Sequence, residues 1–219
     1  MNASKGKFRA DVERFGLLPA IRGRFMHRLQ KRFGVHVCRV KTRPLAHAPP
    51  DPNLPPGMRL CVLDKEVLLS ACEDTALSLS GEFVEEALER GDVSFGALDG
   101  DRVVAYVWRT LTAAPHTDGL WVRVDRPYRY GYKGFVLPEY RGRRLDQALS
   151  FFSDAYFLER GYTQDIGFVD THNLASVAAE KRKGNVLIGY AGYVNWFGRC
   201  LLFRTPAVKR TGFEFYTPS

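Results

Sequence analysis

The sequence predicts a mixed α/β domain with a mostly antiparallel sheet flanked by helices, and three observations support this. Segments with the periodicity of strands and of helices alternate along most of the chain. Asp99-Gly100, between two strand-like segments, is typical of the tight turn of an antiparallel hairpin. With 219 residues, 45% of them hydrophobic, the chain is long enough to bury a core without disulfides or metals.

A basic amphipathic helix is predicted near the N-terminus, beginning around Pro19 and ending at Gly34. Apolar residues recur there at steps of three and four, at Leu18, Ile21, Phe25, Leu29 and Phe33. Residues 1–50 hold twelve Lys and Arg against two acids, whereas the rest of the chain has a slight acidic excess. We expect the apolar stripe to pack against the protein's own core, as such stripes usually do.

Residues 15–33 also fit two other partners, an anionic membrane surface or an acidic carrier protein. Nucleic acid is the least favoured partner, because no aromatic platform or groove-reading motif accompanies the basic residues.

We expect a domain boundary at a proline-rich segment of the chain. Six of the twelve prolines lie in residues 44–57, which excludes helix and central strand there and indicates a stiff linker. The basic helix and a short strand at 36–40 then form an N-terminal extension, residues 1–43. The main domain is residues 58–204, and residues 205–219 form a C-terminal tail.

Within the main domain the first strand is followed by two helices, and Ser80 is suited to cap the second. Helices are predicted over residues 65–73, 82–90, 145–160 and 174–182, the last two ended by Gly161 and Gly184. Strands are predicted over residues 59–63, 93–98, 102–111, 120–137, 164–169, 186–190 and 199–204, with a break near Arg126-Pro127 and a loop at 112–119.

The spacing of the cysteines and the hydropathy of the chain argue against a metal-binding, a membrane-spanning and a secreted protein. The four cysteines are far apart and have no His at ligand spacing, so we expect reduced thiols and no metal site. No apolar run approaches the roughly 18 residues of a membrane span, and residues 1–11 lack the apolar centre of a signal peptide. The expected location is cytoplasmic, with peripheral membrane association as the alternative.

The segment from Gly134 to Leu149 predicts an anion site. A strand that ends near Val136 and passes through a tight turn into a helix at Leu145 directs backbone N–H groups and the positive helix end to one spot. Three arginines in the turn would add charge-assisted hydrogen bonds, and Gly142 permits close backbone approach. A diphosphate suits such a site.

This segment, Gly134-Phe-Val-Leu-Pro-Glu-Tyr-Arg-Gly-Arg-Arg-Leu-Asp-Gln-Ala-Leu149, resembles the donor-binding signature of the GNAT superfamily of N-acyltransferases. The resemblance covers residues 58–204 and implies acetyl-CoA or acyl-CoA as donor. The pyrophosphate would lie on Arg141, Gly142, Arg143, Arg144, Leu145 and Asp146. The pantetheine arm would lie beside Gly134, Phe135 and Val136, where two strands of the fold splay apart, and Asn173 could bond it. A backbone N–H near Val136 would polarise the thioester carbonyl.

Two positions of this loop differ from the family pattern Arg/Gln-x-x-Gly-x-Gly/Ala, because Arg144 and Asp146 occupy the small positions. Arg144 is expected to fit with φ below zero and could contact a phosphate. Asp146 brings a carboxylate near the expected diphosphate, although an acid in the first turn of a helix is also favourable without any ligand.

The residues that would contact the amine acceptor are predicted less specifically. On the resemblance, Asp170 or His172 could be the base that accepts the amine proton. In many members of the family the general acid is a Tyr seven residues after the Asn. Here that position is Glu180, which is a candidate for the role, although a solvated surface position is favoured. Tyr128, Tyr130, Tyr132 and Val136 would share one face of a regular strand, as core or as the wall of an acceptor or acyl pocket.

The resemblance therefore implies an acyltransferase that moves an acetyl or longer acyl group from a CoA thioester to a primary amine of a small molecule or peptide, by direct attack in a ternary complex. Two alternatives stay open. One is an N-acyltransferase that depends on acyl carrier protein, and the other is a non-catalytic GNAT-like module that binds a partner or a membrane.

Overall fold

The computed structural model describes residues 2–47, 54–117, 119–196 and 199–218. It forms two compact units: unit 1 comprises Met1–Arg43, Pro115–Arg123 and Ile166–Ser219, and unit 2 comprises Pro44–Ala114 and Val124–Asp165.

Unit 2 contains four neighbouring strands in the order β7-β4-β3-β2, all paired antiparallel. These strands are β2 (Met58–Leu63), β3 (Val93–Asp99), β4 (Arg102–Thr110) and β7 (Tyr128–Val136). The Asp99↔Arg102 pair closes the hairpin predicted at Asp99-Gly100. The unit also contains the helices α3 (Lys65–Ala71), α4 (Gly81–Glu89) and α5 (Leu145–Leu158).

Two helices of unit 2, α3 and α4, begin at residues whose side chains cap them. The Asp64 carboxylate accepts from the Val67 N–H at 2.9 Å, and Ser80 Oγ accepts from the Phe83 N–H at 3.4 Å. The largest side chains in the core of this unit are fully buried, among them Phe95, Trp108, Leu137, Leu149 and Phe157. This packing fixes both ends of the turn between β7 and α5.

A buried charged cluster crosses the same core. The Arg129 side chain is fully buried and forms ion pairs with Asp154 and Asp165. Arg129 also donates to Ser153 Oγ at 2.6 Å. A buried guanidinium is tolerated when carboxylates and hydroxyls surround it in this way.

Unit 1 contains four neighbouring strands in the order β10-β9-β1-β8. These strands are β1 (Val35–Pro44), β8 (Gln164–Asp170), β9 (Val186–Trp196) and β10 (Arg199–Arg204). Its helices are α1 (Asn2–Phe15), α2 (Leu17–Phe33), α6 (Leu174–Arg182) and α7 (Pro206–Lys209). A separate sheet with the order β11-β6-β5 belongs mainly to this unit, with strands β5 (Ala113–Thr117), β6 (Leu120–Arg123) and β11 (Glu214–Tyr216).

The N-terminal segment differs from the expected extension. The strand β1 lies between β9 and β8 and pairs with β9 from Val35↔Val194 to Thr42↔Val186. Residues 35–42 are therefore part of the sheet, and this pairing satisfies their backbone hydrogen-bonding groups. Gly34 ends α2 at φ +59, as predicted, and directs the chain into this strand.

The expected burial of the apolar stripe of α2 is wrong. Leu18 is 80% exposed and Phe25 is 58% exposed, and Ile21 and Phe33 are also exposed. The helix instead buries its small residues, Ala20 and Gly23. A Cβ on Gly23 would lie 3.5 Å from Leu174 Cγ, so the small residues allow α2 to approach α6 closely.

The linker and the tail are more structured than expected. The Leu45 N–H donates to the Thr163 carbonyl at 2.9 Å, and the Ala46 N–H donates to Asp154 at 3.1 Å. Residues 48–53 of the linker lie outside the described residues. The predicted loop at 112–119 contains β5, and the predicted tail contains α7 and β11. Of the helices described, none combines the length and apolar content that a membrane span needs.

Candidate functional site

The turn between β7 and α5 in unit 2 joins a strand end near Val136 to a helix start at Leu145, as the sequence predicts. Leu137 and Leu145, at its two ends, are both buried, and the Leu137 N–H donates to the Val104 carbonyl at 3.0 Å. Pro138 begins a short 3₁₀ turn, and Gly142 has φ +82, a conformation that other residues rarely adopt. The chain then enters α5 at Leu145, so the first N–H groups of the helix lie at the turn.

A cavity of about 340 Å³ opens at this turn. Eight of the nine donor-site residues predicted in this segment line it, together with Tyr140: Gly134, Phe135, Val136, Arg141, Gly142, Arg144, Leu145 and Asp146. Arg143 is not part of the lining, and its guanidinium lies 5.0 Å from the centre of the Tyr140 ring. The exposed side chains of Arg144 and Asp146 border the cavity without filling it.

Arg144 does not keep φ below zero. It is the N-cap of α5 with φ +58 and ψ 24, in the left-handed region. The backbone at this position therefore has the conformation that glycine adopts most easily, although an arginine occupies it. The turn keeps a shape suited to the family's small residue at a local cost of about 1 to 2 kcal/mol.

The Arg141 side chain is hydrogen-bonded to the end of β7. Its Nε donates to the Val136 carbonyl at 3.2 Å, and its guanidinium lies 6.0 Å from the centre of the Phe135 ring. A guanidinium has five N–H donors, so this bond leaves it able to bind an anion as well.

A β-bulge in β7 was missed from the sequence. Val107 pairs with Gly134 and Trp108 with Tyr132, so Lys133 is an extra residue, and its φ is +34. The extra residue reverses the strand parity, so Val136 does not share a face with Tyr132, and the prediction of one face is wrong. The glycines at 131 and 134 were the available signal, because glycine inside a strand often marks a bulge.

The tyrosines before the bulge are core residues. Tyr130 is 4% exposed and Tyr132 is 8% exposed. The Tyr132 hydroxyl donates to the buried Asp92 at 2.6 Å, and Arg90 lies 3.1 Å from the same carboxylate. Burial, and then the negative Asp92, raise the pKa of Tyr132, so its hydroxyl stays protonated.

The other predicted site residues, Asp170, His172, Asn173 and Glu180, belong to unit 1. Asp170 lies at the end of β8 and accepts from the Cys38 thiol at 3.5 Å. Burial, and then the nearby Asp170, raise the pKa of that thiol. The His172 ring centre is 5.0 Å from that of His27. Asn173 caps α6, and its Oδ1 accepts from the Ser176 N–H at 3.1 Å.

Glu180 is not the solvated side chain that was expected. Its side chain is 18% exposed, and it forms ion pairs with Lys41 and Lys183. It also accepts from Asn185 Nδ2 at 2.9 Å. The ion pair with Lys41 connects α6 to β1.

Two histidines to which the sequence assigned no role have partners in unit 1. The His36 ring stacks on Tyr193 at 4.3 Å between centres, and His116 Nε2 lies 3.4 Å from the Tyr193 hydroxyl. Burial lowers the pKa of both imidazoles, which favours their neutral forms. These contacts join β1, β5 and β9, elements far apart in sequence, so the sequence offered no signal for them.

Two solved structures have a similar fold at low sequence identity. The GCN5-related N-acetyltransferase from Sphaerobacter thermophilus is 17% identical, with a TM-score of 0.51, over 76% of this chain and 54% of its own. A GNAT-family protein from Novosphingobium aromaticivorans is 18% identical, with a TM-score of 0.50, over 71% of this chain and 61% of its own. The chain thus spans between half and two thirds of the length of each structure.

No protein-family model matches the chain, and no curated protein matches it. The structural likeness agrees with the element order and with the mostly antiparallel sheet predicted from the sequence. The chain therefore has the mixed α/β fold of the GNAT superfamily.

Proposed function

We propose that the protein is an acyltransferase that moves an acetyl or longer acyl group from a CoA thioester to a primary amine. The observation that carries this proposal is the open cavity at the turn between β7 and α5. Its lining combines the start of a 14-residue helix, a glycine with positive φ and two arginines, Arg141 and Arg144. These features suit a diphosphate.

The donor would be held by backbone and arginine groups of unit 2. The N–H groups at the start of α5 would bind the pyrophosphate, and the guanidinium groups of Arg141 and Arg144 would add charge-assisted hydrogen bonds. The strand end from Gly134 to Val136 would bind the pantetheine arm through its main chain.

The orientation of Val136 supports a role in polarising the thioester carbonyl. The Leu137 N–H donates to β4, and N–H groups of successive residues in a strand point to opposite sides. The Val136 N–H therefore points away from β4. The Val136 carbonyl supports this orientation, because it accepts a hydrogen bond from Arg141 and not from β4. One such N–H, donating to the developing oxyanion, lowers a barrier by about 3 kcal/mol.

The reaction proposed is direct attack. The amine lone pair attacks the thioester carbonyl carbon, the carbon–sulfur bond breaks, and the CoA thiolate leaves. On the resemblance, Asp170 or His172 would accept the amine proton. Glu180 is left out of this scheme, because its carboxylate is already occupied by ion pairs with Lys41 and Lys183 and by a hydrogen bond from Asn185. Solvent would protonate the thiolate.

The proposal is tested by calorimetric titration of the full chain with acetyl-CoA and with long-chain acyl-CoA, followed by an assay with amines. The variant Gly142→Asp would place a carboxylate at the cavity, and we expect at least about tenfold weaker donor binding. Gly100→Asp is a matched control, because both glycines have positive φ and open space around them. It should bind the donor like the unchanged protein.

Equal loss of binding in both variants would contradict the assignment of the cavity. An absence of binding with every acyl-CoA at millimolar concentration would overturn the proposal. Transfer from an acylated carrier protein, without transfer from free acyl-CoA, would replace the donor proposed here.

A further inference from the structure

The helix α2 directs its large apolar side chains to solvent. Five of them are 49% to 80% exposed: Leu17, Leu18, Ile21, Phe25 and Phe33. The side of α2 that packs on the protein is formed by Ala20 and Gly23. A helix in a globular protein usually buries its large apolar residues and exposes its small or polar ones, and here the arrangement is reversed.

The same exposed side is cationic. Residues 17–33 contain five Lys and Arg and no acid. At about 100° per residue, Arg28 lies between Leu17 and Ile21 around the helix, and Arg32 lies between Ile21 and Phe25. Arg22, Arg28 and Arg32 are exposed, and Arg22 also donates to the Tyr190 hydroxyl at 3.4 Å. The outward surface of α2 therefore alternates large apolar groups with guanidinium groups.

We propose that this surface, defined by Leu17, Leu18, Ile21, Phe25 and Phe33 with Arg22, Arg28 and Arg32, docks on an anionic membrane. The helix would lie in the plane of the interface, with its apolar side chains among the acyl chains. The long arginine side chains would reach back to the lipid phosphates, so both kinds of group find a partner in one surface. This inference is independent of the proposed acyl transfer.

Other binding partners of the α2 surface fit these observations less well. A second copy of the chain would bring two such cationic helices together, and their like charges repel. An acidic protein surface would neutralise the arginines but would place polar groups against Leu18 and Phe25, which are 80% and 58% exposed. A lipid surface satisfies both requirements.

The test is co-sedimentation of the full chain with two kinds of vesicle, phosphatidylcholine alone and phosphatidylcholine with about a third phosphatidylserine, at about 0.15 M salt. We expect binding to the anionic vesicles and at least about tenfold less to the neutral ones. An apolar triple variant, Leu18→Ser, Ile21→Ser and Phe25→Ser, and a charge triple variant, Arg22→Gln, Arg28→Gln and Arg32→Gln, should each bind the anionic vesicles at least about tenfold more weakly.

A matched control is available in the same unit. Leu201 and Leu202 on β10 are 55% and 42% exposed, so Leu201→Ser with Leu202→Ser removes exposed apolar area away from α2. This double variant should bind the anionic vesicles like the unchanged protein. All variants alter exposed side chains, and circular dichroism with thermal unfolding verifies that each is folded.

Three results would overturn the proposal. Equal binding to neutral and anionic vesicles would remove its electrostatic basis. Equal weakening by the β10 control would show that the surface of α2 is not the site. Binding to a soluble polyanion such as polyglutamate that is unaffected by the apolar variant, with no vesicle binding, would assign the surface to an acidic protein instead.

Discussion

The guanidinium Nε of Arg141 donates a 3.2 Å hydrogen bond to the carbonyl of Val136, so the arginine connects the middle of the turn to the end of β7. This bond fixes the guanidinium at the edge of the cavity. The same side chain therefore holds the turn and, in the function we propose, would bind a donor phosphate.

The first prediction follows from this dual position. Lysine in place of Arg141 keeps the charge but loses the planar fork of donors, so Arg141→Lys should weaken acetyl-CoA binding by about tenfold. Arg143→Lys is the control, because Arg143 lies against Tyr140 and outside the cavity lining. Titration calorimetry measures both, and an equal loss in the two variants would contradict a specific role for Arg141.

Asp146 gives the second prediction. Its carboxylate lines the cavity where we propose that a diphosphate binds, and it lies in the first turn of α5. Asp146→Asn should strengthen acetyl-CoA binding by about fivefold, because a like charge is removed. It should also lower the free energy of unfolding by about 0.5 kcal/mol, because the helix start loses an acid.

The two effects of Asp146→Asn have opposite directions, and calorimetry and urea unfolding measure them separately. Glu159→Gln alters an acid at the other end of α5 and should leave donor binding unchanged. Weaker donor binding by Asp146→Asn would show that this carboxylate does not face the diphosphate.

The third prediction concerns the backbone at Arg144. Glycine adopts φ +58 without steric cost, so Arg144→Gly should raise the free energy of unfolding by about 0.5 to 1 kcal/mol after allowing for the greater freedom of the unfolded chain. Arg143 is not among the residues with positive φ, so Arg143→Gly should lower that free energy instead. Urea unfolding monitored by circular dichroism compares the two, and a decrease with Arg144→Gly would contradict the predicted strain.

The features that the sequence predicted correctly depend on residues close together in the chain. The Asp99-Gly100 turn, the Ser80 cap and the start of α5 at Leu145 are all determined within a few residues. The residues of the cavity could be predicted for the same reason, because one strand, one turn and one helix start supply them all.

The features that the sequence did not predict depend on distant partners. The position of β1 between β9 and β8 is set by pairing over some 150 residues, which no local pattern encodes. The predicted orientation of α2 was wrong. The periodicity identified the apolar stripe of the helix, but it could not show the close approach of Gly23 to Leu174. The ion pairs of Glu180 with Lys41 depend likewise on a fold that joins α6 to β1.

The last prediction concerns alkaline stability. Tyr106 is 2% exposed, its hydroxyl donates to the Leu77 carbonyl at 3.0 Å, and burial raises its pKa to about 12. The ordinary tyrosine pKa is about 10, so the protonated hydroxyl favours the folded state fully below that pH. This contribution is lost as pH rises from about 10 to about 12 and amounts to about 3 kcal/mol when complete.

Tyr106→Phe should therefore be less stable at neutral pH by about 1 kcal/mol, because the hydrogen bond to Leu77 is lost. Its free energy of unfolding should also fall less steeply than that of the unchanged protein as pH rises above about 10, since phenylalanine does not titrate. Urea unfolding between about pH 8 and pH 11 gives both quantities, with Tyr216→Phe in the small sheet as the control. Equal alkaline slopes for Tyr106→Phe and the unchanged protein would show that Tyr106 does not carry the effect.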